Sequence, residues 1–230
     1  MNVWQLALKV YLKKNISMEE NQMEISKIID QCLSKNEELL NFHNSNQYKW
    51  YSFSSFYPIE KEKVYLAGKI YTITIRTVEE KIANHFQRFL DNESSEALKA
   101  ITIETKIIPK KHIERIYSIT PVIIKTENGY WRTDESLEIF EKRLRENIIK
   151  KYNSFTKQKI NEDFELFTFM KFDNQKPIAT KYKNIQLLGD KITLNVAEND
   201  LAQKLVYFSL GTGLLEINSR GFGYVNYKCL

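Results

Sequence analysis

Cysteine, histidine, proline and glycine are all scarce in this chain of 230 residues. Two cysteines, Cys32 and Cys229, cannot build a disulfide framework, which predicts a reducing, cytoplasmic setting. The three histidines, His43, His85 and His112, are far apart, and neither C-x-x-C nor H-E-x-x-H occurs. The sequence therefore predicts no metal site and no cofactor. Four prolines and seven glycines leave no low-complexity linker. No stretch approaches the roughly 18 apolar residues of a membrane span. The N-terminus MNVWQLALKV lacks a basic leading segment, and Lys9 interrupts its apolar run, so neither a signal peptide nor a membrane anchor is expected.

What is present is an ordinary globular composition, 43% hydrophobic and 27% charged, with a net charge of +5. That mild excess permits an anionic partner without requiring one. Alternation predicts a first strand over 3–12, with Trp4, Leu6, Leu8, Val10 and Leu12 on one side. Ile25, Ile28, Ile29, Cys32 and Leu33 recur at helical spacing within 18–35. Strands follow over 48–57 and 63–77, then a helix marked by Ile82, Phe86, Phe89 and Leu90, then a strand over 98–108. This is the order β-α-β-β-α-β. It begins again with a strand over 114–126 and a helix over 134–152, with Leu137, Phe140, Leu144 and Ile148 inward. Strands at 164–172 and within 180–197, a short helix around Leu201, Leu205 and Phe208, and strands near 214–217 and 223–228 complete it. The prediction is an α+β protein of two tandem ferredoxin-like (RRM-like) domains, residues 1–111 and 112–230, with the interruption PKKHI at the junction. Such a pair leaves a groove able to hold an extended polymer, although the fold alone assigns no function.

Four of the seven glycines fall within thirteen residues: Gly211, Gly213, Gly221 and Gly223. They fit neither the phosphate-binding loop of nucleotide hydrolases nor the dinucleotide fingerprint. Arg220–Tyr227 (RGFGYVNY) is close to the aromatic stacking signature of RNA recognition motifs. That signature sits on a third strand, and too few residues follow here for the helix and strand that come after it. Turn glycines can free backbone N–H groups for phosphate oxygens. Arg220 could grip a phosphate. Phe222 and Tyr224 fit a core as readily as a stacking platform.

GTGLLEINSRGFGYV resembles the C-terminal glycine-rich loop of the CRISPR-associated endoribonucleases that process precursor CRISPR RNA, the sixth Cas family of the RAMP superfamily. SITPVIIKTENGYW, with a helix ending ENIIKKYNSF, resembles the start of that family's second domain. HNSNQYKWYSFSSFYP resembles its histidine followed by a lysine-aromatic strand. Three motifs in register cover nearly the whole chain. The resemblance implies two ferredoxin-like domains and a metal-independent, sequence-specific endoribonuclease acting within CRISPR repeats. His43 would be general base or acid and Lys49 the stabiliser of the transition state. The products would carry 5′-hydroxyl and 2′,3′-cyclic phosphate ends. RNA contacts are expected at Gly211, Gly213, Arg220, Gly221, Gly223, Lys110 and Lys111. The partners implied are CRISPR repeat RNA and other Cas proteins of an interference complex, with the chain a monomer or homodimer.

The residues themselves suit that chemistry. The segment 41–47 reads as a polar loop, histidine titrates near neutrality, and lysine stays cationic beside a phosphate. RNA supplies its own nucleophile, the 2′-hydroxyl. Many family members carry a tyrosine on the first helix; residues 18–35 here have none. His43 would then act with Lys49 alone or with another residue, such as Tyr48 or a more distant tyrosine. His85 reads as a packing or surface residue and His112 as an exposed linker residue. Lys142, Arg143, Arg145, Lys150 and Lys151 read as an ordinary polar helix face. Two other readings stay open: a non-catalytic CRISPR RNA-binding subunit of an interference complex, and a regulatory small-molecule-binding domain.

Overall fold

A computed structural model describes residues 1–127 and 129–230. Asn128, within SITPVIIKTENGYW, lies outside the described residues. The chain begins with strand β1 (Trp4–Leu12), whose alternation buries Leu6, Leu8, Val10 and Leu12. Short strand β2 (Ile16–Ser17) leads to helix α1 (Asn21–Ser34), which buries Ile25, Ile28, Ile29, Cys32 and Leu33. Burial pushes the Cys32 thiol up to about 12, so it behaves as a small apolar group.

Helix α2 (Glu37–Asn44) follows, where the sequence predicted a polar loop over 41–47. Asn36 caps it by accepting from the Leu39 N–H at 3.0 Å. Only Leu39 is buried on this helix, so it offers no apolar stripe for sequence reasoning to detect.

The strand expected over 48–57 shortens to β3 (Tyr51–Phe53), with one further antiparallel bridge between Tyr57 and Thr72. The strand expected over 63–77 is two, β4 (Val64–Tyr65) and β5 (Ile70–Thr77), parted by a turn at Gly68. Helix α3 (Glu80–Phe89) and strand β6 (Leu98–Ile107) complete the first unit. Its antiparallel sheet has the order β3-β5-β1-β6.

The second unit starts with β7 (Ile113–Ser118), shorter than the predicted 114–126. Pro121 has no N–H to extend the ladder. Helix α4 (Leu137–Thr156) buries Phe140, Leu144 and Ile148, whereas Leu137, expected inward, is exposed in the first turn. Then come β8 (Phe167–Phe172), the hairpin β9 (Ile178–Tyr182) and β10 (Ile185–Gly189), β11 (Ile192–Val196), α5 (Asp200–Thr212) and β12 (Val225–Cys229). The strand expected at 214–217 does not form, because Leu215 and Ile217 have φ of 56° and 60°. The second sheet has the order β12-β7-β11-β8. Counting strands within each unit, both sheets read 4-1-3-2 in one direction. That is the ferredoxin-like arrangement twice over, with the hairpin β9–β10 inserted in the second copy.

The units are knitted together. The Tyr207 hydroxyl donates to Ile108 O at 2.6 Å and accepts from the Val3 N–H at 3.2 Å. Arg76 of β5 donates to Val225 O at 2.6 Å and to Asn226 Oδ1 at 2.8 Å on β12, under the Tyr224 ring. Gly211 sits where α5 meets β5; a Cβ there would lie 2.7 Å from Val78 Cγ1 and 3.1 Å from the Thr77 backbone. No helix among the described residues is long and apolar enough to cross a membrane.

Candidate active site

His43 sits in the last turn of α2, where the C-terminal half of the chain reaches it. Its side chain is only 9% exposed. On one side, Arg220 Nη2 lies 3.0 Å from His43 Nε2. Arg220 Nη1 in turn donates to Asp30 Oδ2 of α1 at 2.5 Å. Asp30 Oδ1 lies 3.3 Å from His43 Nε2 and is buried without a hydrogen-bond donor. On the other side, the Tyr51 hydroxyl of β3 is 3.5 Å from His43 Nδ1.

This arrangement selects a tautomer. A guanidinium has only N–H groups, so the ring nitrogen facing Arg220 must accept. Nε2 is then unprotonated and the Nδ1 proton faces Tyr51. Burial pulls the imidazole below its usual range, Asp30 opposes that, and Arg220 and Lys49 add to it. Burial pushes the Tyr51 hydroxyl upward, so it stays neutral and its oxygen accepts from Nδ1–H. The Arg220 guanidinium is held even more firmly charged: burial opposes its charge, but the hydrogen bond to Asp30 outweighs that.

Lys49 Nζ is turned onto the carboxyl end of α2. It donates to Phe42 O, to Ser45 O at 2.7 Å and to Ser45 Oγ at 3.3 Å, and lies over the Phe42 ring. Burial first, and Arg220 second, lower its ammonium. Lys49 belongs to no strand, although it falls within the strand predicted over 48–57.

Arg220 is delivered by a short 3-10 turn, Asn218–Arg220, between α5 and β12. Gly221 ends that turn with φ +83°, and a Cβ there would meet Gln22 Oε1 at 2.1 Å. The four glycines do not form an open phosphate cradle, which corrects the expectation of freed N–H groups. All four are buried. Gly211 lies within α5, and the N–H groups of Gly213, Gly221 and Gly223 donate to Ser209 O, Asn218 O and Pro121 O. Phe222 and Tyr224 are buried in the core rather than offered as stacking platforms.

Lys110 and Lys111 are exposed between β6 and β7, and none of the hydrogen bonds or ion pairs around His43 includes them. His112 is exposed beside them, and His85 is buried with Nε2 2.8 Å from Cys32 O. Tyr48 packs against Trp50 instead of reaching His43. Sequence reasoning missed Asp30 and Tyr51. The signal available for Asp30 was the single carboxylate in ISKIIDQCL, next to the inward Ile28, Ile29, Cys32 and Leu33. A hollow of about 150 Å³ opens beside Asp30 and Arg220, walled by Ser26 and Lys27 of α1 and by Lys181 and Tyr182 of β9. Among the described residues, no group of three or more His, Cys, Asp or Glu side chains could hold a metal ion.

The family model for "CRISPR associated protein Cas6, C-terminal" matches residues 102–227. The chain belongs to the Cas6 family. A curated relative, CRISPR-associated endoribonuclease Cas6 2 of Methanocaldococcus jannaschii, is 23% identical over 245 residues, covering 96% of this chain and 98% of the relative. Among solved structures, a CRISPR-associated protein Cas6 superposes with a TM-score of 0.71 at 21% identity, over 98% of this chain and 99% of that one. A RAMP protein described as binding different RNA substrates gives 0.72 at 16% identity, over 98% and 99%. These likenesses extend the Cas6 fold across both units.

Proposed function

We propose that this chain is a cytoplasmic, metal-independent endoribonuclease that cuts precursor CRISPR RNA within its repeats. One observation carries the reading: a largely enclosed, neutral His43 whose Nε2 faces both a fixed guanidinium and a carboxylate oxygen that lacks a donor. Arg220 releases Nε2 as it turns to the substrate phosphate, and neutral His43 then accepts the proton of the 2′-hydroxyl at Nε2. The 2′-oxygen attacks the adjacent phosphorus, the P–O5′ bond breaks, and the leaving 5′-oxygen takes a proton. The products carry 2′,3′-cyclic phosphate and 5′-hydroxyl ends. Once protonated, the imidazolium has Asp30 Oδ1 3.3 Å from Nε2, and that carboxylate stabilises its charge. The site thus has a favourable place for the proton it removes. Arg220 and Lys49 supply positive charge for the phosphate as it gains negative charge. Tyr51 orients the ring through Nδ1.

The curated relative is named an endoribonuclease, which supports the assignment. RNA is held across the hollow beside Asp30, with Lys110 and Lys111 as outlying phosphate contacts. The two units divide between Lys111 and His112, and the product passes to other Cas proteins. The test is repeat RNA incubated with excess chelator. Cleavage that survives chelation, leaves cyclic phosphate ends and vanishes in His43→Ala supports the reading. Tight binding of intact RNA would instead identify a non-catalytic CRISPR RNA-binding subunit.

A further inference from the structure

Lys151 lies on α4, where the sequence suggests a solvated polar face, yet it is 3% exposed. Its ammonium donates to Gly213 O at 3.1 Å, Leu215 O at 2.7 Å and Asn218 Oδ1 at 2.6 Å. Three protons meet three acceptors, so the buried charge is fully bonded. All three acceptors belong to the segment between α5 and Arg220. Asn218 extends the clamp by donating from Nδ2 to Leu214 O at 2.8 Å and Phe222 O at 2.9 Å. The clamped segment includes Leu215 and Ile217, both left-handed, a conformation strained for a non-glycine residue. A segment so strained would relax without something to hold it. Relaxation would move the turn that carries Arg220.

We propose that Lys151 is a positioning residue of the site, fixing the 213–218 segment so that Arg220 is held against His43 and Asp30. The proposal rests on the site reading given above. Burial pushes the Lys151 ammonium down to about 7, with Glu216 opposing. An amine group buried at that cost, with its N–H groups directed at one loop, fits a clamp better than a surface residue that became covered.

The test reads the imidazoles directly. With only three histidines, the His43 titration can be followed by NMR once His85 and His112 are assigned by substitution. Arg220 holds the His43 midpoint down and Asp30 holds it up. Arg220→Ala should therefore raise it. Lys151→Met should raise it in the same direction in protein that is folded by circular dichroism, and the double variant should match Arg220→Ala alone. Single-turnover cleavage of repeat RNA should fall by up to about 10²-fold in Lys151→Met, again with no further loss in the double variant. If Lys151→Met does not fold, Lys151→Gln, which keeps two N–H donors, enters the same cycle. A raised midpoint in Arg220→Ala with an unchanged one in Lys151→Met overturns the clamp and leaves the site reading standing. An unchanged midpoint in Arg220→Ala overturns the His43–Arg220 contact, and the clamp with it.

Discussion

In both units the helix after the first strand covers a sheet of the same order, yet α1 and α4 bury different polar groups. α1 brings Asp30 to His43, where one carboxylate oxygen still lacks a donor. α4 brings Lys151 to the loop before Arg220, where every proton has an acceptor. The first arrangement leaves a polar demand that a proton can fill. The second leaves none. A repeated fold has thus been given two characters: the first unit holds His43, Lys49, Asp30 and Tyr51, and the second supplies one guanidinium and the structure that fixes it. The chemistry depends on what the connections and helix faces carry, since the strand order is common to both.

The comparison breaks most sharply at His43. His43→Ala should lower single-turnover cleavage of repeat RNA by about 10²–10⁴-fold, the usual contribution of a general base. In the intact protein the rate should rise with pH and level off at a midpoint below the ordinary histidine value, because burial lowers the His43 affinity for a proton. The same shift affects stability. The unfolded chain binds that proton more readily, so His43 contributes stability above about pH 6.5 that is lost as pH falls through its folded midpoint. Urea titrations across that window should show the slope in the wild type and less of it in His43→Ala.

Arg220 tests whether the second unit contributes more than scaffolding. Arg220→Ala should cost about 10²-fold in rate, comparable to removing one preorganised donor. Arg220→Lys should restore little, since one ammonium cannot reach Asp30 Oδ2 and His43 Nε2 with the geometry of a fork. Full rescue by lysine would reduce Arg220 to a general positive charge and place all of the site's geometry in the first unit.

The fold was largely legible in the sequence because its signals are local. Alternation at Trp4–Leu12 and Ile70–Thr77 and helical spacing in α1 and α3 each lie within one element. α2 was hidden because a surface helix with one buried leucine has no stripe. Of the site, His43, Lys49 and Arg220 could be nominated by motif. Their grouping could not, since Arg220 meets Asp30 across 190 positions and His43 across 177. Tyr51 looked like one more aromatic in an alternating strand. Lys151 looked like surface because lysines nearly always are. Its burial follows from carbonyl groups left without donors in a segment 62 to 67 positions away.

Gly221 probes the seam between the units at smaller cost. Its φ is +83°, and a methyl group at this position would fall 2.1 Å from Gln22 Oε1, so Gly221→Ala is strained twice over. The expected destabilisation is about 1–3 kcal/mol, seen as a lower urea midpoint with an unchanged slope. Gln22 belongs to α1, so the strain falls on the helix that carries Asp30, and the cleavage rate should fall even where the protein remains folded. An unaffected rate would show that α1 and the glycine-rich segment adjust independently.

The smallest effect is expected at the junction. Lys110 and Lys111 are exposed and none of the hydrogen bonds or ion pairs around His43 includes them, so they are expected to act on RNA through long-range attraction or an outlying phosphate. Lys110→Glu with Lys111→Glu should weaken repeat RNA binding while leaving the single-turnover rate at saturating protein unchanged. The slope of log affinity against log salt should shrink by about 0.7 for each single-strand phosphate that the lysines no longer neutralise. Reduced affinity with an unchanged slope would exclude phosphate contacts at these lysines. A lowered saturating rate would show that the junction transmits to His43, and the division of labour between the units would then extend beyond the network around Arg220.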